Sequence, residues 1–128
     1  MFANALTNAL KALNVIPSPF VVRPGRIEPQ TVRAVMVMMP LGGFATVLDQ
    51  GKLYAGNQQI IVRSPDPEEA YAAAEAVEAA LKTEGQSRAV DGYLIKKMRP
   101  KGLPIIFPLN DAGLYEASVN FDCAVIRL

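Results

Sequence analysis

GLYEASVNFDCAVIRL, Gly113 to Leu128, alternates from end to end. Tyr115, Ala117, Val119, Phe121, Cys123 and Val125 fall on one side; Glu116, Ser118, Asn120 and Asp122 fall on the other. A period of two with one apolar row is the pattern of a long, half-buried strand. Such a strand presents backbone donors and acceptors along both edges, so it needs neighbours to pair with, in its own chain or in another.

Working back along the chain, VDGYLIKKMRP predicts a strand over Gly92–Arg99, and QQIIVR predicts one over Gln58–Arg63. The second is apolar on both faces, which suits a central position. Between them lies SPDPEEAYAAAEAVEAALKTEG, the clearest helix. Asp66 is the expected N-cap, Pro67 the first helical residue, Glu69 the reciprocal capping partner and Gly85 the C-terminal stop. Ala70, Ala74, Val77 and Leu81 form its apolar stripe. Because the stripe is mostly alanine, the helix can approach whatever it covers closely. Residues 2–13 predict a first helix, with Phe2, Leu6, Leu10 and Leu13 on one face. Pro17, Pro19, Pro24 and Pro29 make residues 17–31 a stiff connector, with room for a short strand at Phe20–Arg23. TVRAVMVMM, Thr31–Met39, reads as a strand rich in β-branched residues and methionine; PLGG, Pro40–Gly43, is a turn, and residues 44–58 read as a loop broken by Gly51 and Gly56. Pro100, Gly102, Pro104 and Pro108 mark a second stiff segment, and LNDAG turns the chain into its last strand. The fold class is α+β: a mostly antiparallel sheet with two helices packed on one face, plus extended loops, in a single domain over residues 1–128.

Composition narrows function by exclusion. The chain has 128 residues, 51% of them apolar, and a net charge of +1. That balance argues against a protein that grips nucleic acid by neutralising many phosphates. There is no histidine, which removes the usual general base, the usual zinc ligand and every Ser-His triad. The one cysteine, Cys123, lies in an apolar row and reads as a small core hydrophobe. No phosphate-binding glycine pattern is present. Asp66, Glu68 and Glu69 cluster where they complement a helix dipole, and Asp111 sits in a turn where Asx residues bond locally. No catalytic, cofactor-binding or metal-binding residue is assigned, and the expectation is a protein that is not an enzyme. MFANALTNALKAL lacks the pattern of an export signal. The longest uncharged run, Ala34–Leu48, holds fifteen residues broken by Pro40 and Gly42, too short to span a bilayer. The expectation is a protein made and kept in a cytoplasm, with no membrane partner. KKMRPK, Lys96–Lys101, reads either as a solvated edge or loop that lysines protect from unwanted pairing or as a patch for an acidic partner or nearby DNA. Stiff connectors, an uncharged Met-rich strand, an alanine helix and a terminal strand together give the profile of an assembly component.

From Gln58 to Leu128 the chain resembles the tail terminator proteins of long-tailed bacteriophages, also known as minor tail or minor capsid proteins. The resemblance rests on NQQIIVRSPDPEEAYAAAEAVEAAL, a strand leading through an acidic turn into a helix. It rests also on FPLNDAGLYEASVNFDCAVIRL, a proline-bearing segment, a polar turn and a closing strand. It implies a structural virion protein that forms a homohexamer ring, caps the tail tube, ends tail polymerisation and offers a joining face to the head connector protein. Its partners would be itself, the tail tube protein and the head connector, with DNA passing through the lumen without specific binding. Its place would be the head-proximal end of the tail, after synthesis in the bacterial host's cytoplasm. On this reading the closing strand lies beside the strands at 58–63 and 92–99, while extended segments at 17–57 and 96–108 reach the neighbours. The subunit and partner interface is assigned to Met36, Met38, Met39, Arg63, Arg99 and Lys101. The competing readings are a head-completion or stopper protein of the same junction, a small α+β enzyme or ligand-binding module, and a nucleic-acid binder.

Overall fold

The computed structural model describes residues 1–39, 43–47, 52–83, 85–109 and 113–128. The elements run α1 (Phe2–Leu13), β1 (Val21–Pro24), β2 (Ala34–Val37), β3 (Ala45–Thr46), β4 (Leu53–Ser64), α2 (Pro67–Leu81), β5 (Arg88–Val90), β6 (Tyr93–Pro100), β7 (Ile105–Leu109) and β8 (Leu114–Arg127). All strands join one sheet, ordered β1-β2-β4-β8-β6-β5, with β3 on β4 and β7 on β8. Every pairing is antiparallel except β1 with β2. The fold is α+β, as its sequence pattern predicts.

The closing strand is the axis of this sheet. β4 runs along one edge of it, from Leu53 opposite Ile126 to Ser64 opposite Tyr115. Its other edge is shared in succession by β6, opposite Phe121–Arg127, and β7, opposite Leu114–Ser118. The strand therefore finds its neighbours within its own chain. Its alternation then sorts the layers. Ala117, Val119, Phe121, Cys123 and Val125 join Ile60 and Val62 of β4 in a core shared with Phe2, Leu6 and Leu10 of α1 and Ala70, Ala74, Val77 and Leu81 of α2. Both helices thus cover the same face.

Several local expectations need correction. Residues 53–57 are strand, not loop. Gly56 does not break it but seats an aromatic ring, since a Cβ there would stand 2.6 Å from Phe44 Cδ1. The stiff segment at 96–108 contains the end of β6 and all of β7. Pro100 and Pro108 are tolerated because each stands where its strand has β8 on one side only. The Met-rich strand is shorter, Ala34–Val37. Leu13 is exposed, because Asn14 turns left-handed at φ 53° and ends α1 there. Asp66 does cap α2 by accepting from the Glu68 N–H, but Glu69 does not return the bond. Its Oε1 accepts from Ser64 Oγ and Arg33 Nε, while the Asp66 N–H donates to Ser64 Oγ. Nor does Gly85 stop the helix, which ends at Lys82 in an extended conformation. The turns expected at 40–42 and 110–112 lie outside the described residues.

Phe121 is the largest fully buried side chain among the described residues. Phe121→Ala is expected to lower unfolding free energy by about 3–5 kcal/mol in urea titration, through lost transfer energy and the cavity left behind. Cys123 is buried too, and burial pushes its thiol up to about 12. A raised folded-state value means that the unfolded chain ionises first. The stability contributed by the neutral thiol is complete below the unfolded thiol's value of about 9 and is lost as pH rises from there towards 12, at about 1.4 kcal/mol per pH unit. Cys123→Ala should flatten the alkaline arm of the stability–pH curve relative to the native protein.

Candidate functional site

The sheet face opposite the helices carries the polar row of β8, whose side chains are held by adjacent strands, by the connector and by one another. Glu116 stands opposite Arg63 of β4. Both side chains are buried, and Arg63 Nε lies 3.2 Å from Glu116 Oε2. Arg26 Nη1 reaches the same oxygen at 3.3 Å from the solvent side. Arg63 Nη1 also donates to the carbonyls of Glu28 at 3.0 Å and Thr31 at 3.2 Å. One guanidinium thereby fastens the proline-rich connector to the sheet, and Ile27 of that connector packs on Ala34, Met36 and Ile61. Further along, Gln59 Nε2 and Asn120 Nδ2 both donate to Ser118 Oγ, at 2.9 and 3.1 Å.

The last member of the row, Asp122, faces β6. Lys97 Nζ lies 3.1 Å and Arg99 Nη2 3.3 Å from Asp122 Oδ2. The Lys97 hydrogen bond holds the Asp122 carboxyl below its ordinary range, opposed by desolvation and aided by the charges of Lys97, Arg99 and Lys101. A register shift between Ile95 and Lys97 makes this arrangement possible. The extra residue lets Ile95 and Met98 both face the core while Lys97 and Arg99 face outward, an effect typical of a β-bulge.

The six residues assigned to an interface from the sequence are not brought together. Met36 is fully buried beneath the connector, and Arg63 is buried within the protomer, so neither reaches the surface. Met38 is half-buried and Met39 is exposed at the end of β2. Arg99 and Lys101 are exposed at the β6 end. Beside them the structure adds an apolar patch that sequence reading missed. Leu103 is 76% and Ile105 61% exposed, with Ile106 and Phe107 also at the surface. Residues 105 and 107 lie beside Ser118 and Glu116 in register and share the outward face, while Ile106 turns toward α2. The signal for β7 is the run IIF, hidden by prolines on either side. Among the described residues no group of three or more potential metal ligands occurs, and no helix is long and apolar enough to cross a membrane.

A sheet face of satisfied ion pairs, bordered by an exposed apolar edge, suits contact with other proteins rather than chemistry on a small molecule. A family model described as bacteriophage tail terminator protein matches residues 9–126. The chain belongs to that family. The match takes in the first third of the chain, beyond the segments that carry the resemblance in sequence. As a member of the tail terminator family the chain is a structural, non-enzymatic component of a phage tail. A chain of a solved structure titled "Virion of native gene transfer agent (GTA) particle" shares the fold, with a TM-score of 0.72 at 16% identity, covering 97% of this chain and 93% of that one. No curated protein matches the sequence.

Glu116 balances two guanidiniums, one of them buried. Glu116→Ala is expected to cost about 3–5 kcal/mol of stability by leaving Arg63 buried and uncompensated. The double variant Arg63→Met, Glu116→Leu should recover part of that loss in the same denaturation assay, because it removes both charges together while the carbonyls of Glu28 and Thr31 lose their donor.

Proposed function

We propose that this tail terminator family member is the subunit of a ring, a homohexamer, that caps the tail tube. The ring ends tube polymerisation and presents the joining face to the head connector at the head-proximal end of the tail. DNA passes through its lumen without specific binding, which a net charge of +1 suits. The observation that carries the reading is the family match over residues 9–126. The exposed apolar edge from Leu103 to Phe107 gives it a physical basis, since an uncovered apolar strand edge invites pairing or docking. The similar fold in a chain whose title is that of a virion particle adds support.

Within this reading Arg99 and Lys101 belong to a contact between subunits. Met38 and Met39, at the far side of the sheet, face the tail tube or the connector, where a pliable thioether surface accommodates a partner. Met36 and Arg63 hold the protomer together instead.

Arg99→Glu with Lys101→Glu should abolish tail capping and head joining while leaving the monomer folded. Asp122 keeps Lys97 as its partner in that variant, and both substituted side chains are exposed. Electron microscopy of tails assembled with the variant is expected to show tubes of uncontrolled length. Normal, capped tails would remove Arg99 and Lys101 from the interface. Binding of the native protein to the portal side and not to purified tubes would favour a stopper role over a terminator.

A further inference from the structure

We infer that subunits meet head to tail, with the Arg99–Leu103 corner of one copy seated on the outer face of α2 of the next. The inference rests on the ring reading and names the two surfaces that form it.

The near-neutral net charge conceals a strong segregation. Residues 66–84 hold six carboxylates and one lysine, while the rest of the chain holds twelve cations and six carboxylates. On α2, Glu68 and Glu75 stand two turns apart, both exposed, and neither has an ion-pair partner among the described residues. Between them runs a shallow groove lined by Pro67, Tyr71, Ala72 and Ile106. The small side chain of Ala72 leaves that floor open to a close approach. This surface is apolar along its floor and acidic on its rims.

The β6–β7 corner is its complement. Leu103 is the most exposed large apolar side chain among the described residues, at 76%. Lys101 precedes it by two residues, and Arg99 by four. Asp122 is shared by Lys97 and Arg99, so this corner keeps an excess of positive charge even within the protomer. Leu103 matches the groove as an apolar knob, and Arg99 and Lys101 match the carboxylates on its rims. A buried apolar anchor ringed by charge pairs is the usual anatomy of a specific contact.

The two surfaces lie on opposite layers. Arg99 projects from the sheet face opposite the helices, and α2 covers the other. A copy that uses its corner on one neighbour keeps its groove free for another, so the contact propagates from copy to copy, as the ring reading requires. Because its rim charges are exposed, added salt weakens it.

The test is a charge exchange read by light scattering and sedimentation, with and without purified tail tubes. One variant carries Arg99→Glu and Lys101→Glu; a second carries Glu68→Lys and Glu75→Lys; a third carries all four. Each double variant alone is expected to need at least tenfold more protein to assemble. The fourfold variant, and an equimolar mixture of the two double variants, should assemble as the native chain does. Leu103→Ser, which keeps every charge, should weaken assembly as strongly and gain nothing from the fourfold exchange. Thermal melting of each isolated variant checks that it folds. Undiminished assembly of either double variant, no recovery in the fourfold variant, or a closed particle of two subunits would overturn the contact while leaving the ring intact as a reading. A native chain that never self-associates, with or without tubes, would overturn the ring and this contact together.

Discussion

The register between β4 and β8 governs everything else in this molecule. Twelve consecutive residue pairs join the two strands, from Leu53 with Ile126 to Ser64 with Tyr115. A slip of one residue would turn the row of Phe121 and Val119 outward and drive Glu116 and Asp122 under the helices. The hydrophobic core and the polar face are therefore two results of one alignment. The buried Arg63–Glu116 pair resists slippage from the polar side, because a shifted strand would strand one of its charges. Packing against α1 and α2 resists it from the apolar side.

Much of the fold was legible because its signals are local. The alternation of β8, the cap and stripe of α2, the face of α1 and the centre of β4 each follow from a few residues and their spacing. What was lost depends on distant partners. Gly56 looks like a break until Phe44 is placed over it. Glu69 looks like half of a capping box until Arg33, just before β2, competes for its carboxylate. The prolines around Ile105–Phe107 look like a loop until β8 supplies an edge that needs no donor from them. The candidate surface was legible in part for the same reason. Arg99 and Lys101 are exposed because a charged edge is solvated almost anywhere. Met36 and Arg63 are buried because the connector folds back over them, and nothing in the sequence near either residue announces that return.

The connector illustrates how a proline-rich stretch can be held rather than merely stiffened. Prolines limit its conformations, but its position comes from one guanidinium that bonds its carbonyls while paired to a carboxylate in the sheet. Backbone acceptors that a loop would leave to water are satisfied by a side chain from the core strand. A structural tail protein gains from this, since a segment already fixed on the protomer loses little freedom when a partner arrives.

The bulge near Lys96 acts as a phase shifter. Before it, core residues of β6 occupy odd positions, as at Tyr93 and Ile95; after it they occupy even ones, as at Met98. A chain of the same fold without the extra residue would have to carry its outward cations at the opposite parity to place them beside the same carboxylate. Parity, rather than residue identity, is then the trait by which diverged members could be aligned through this strand when little else in their sequences agrees.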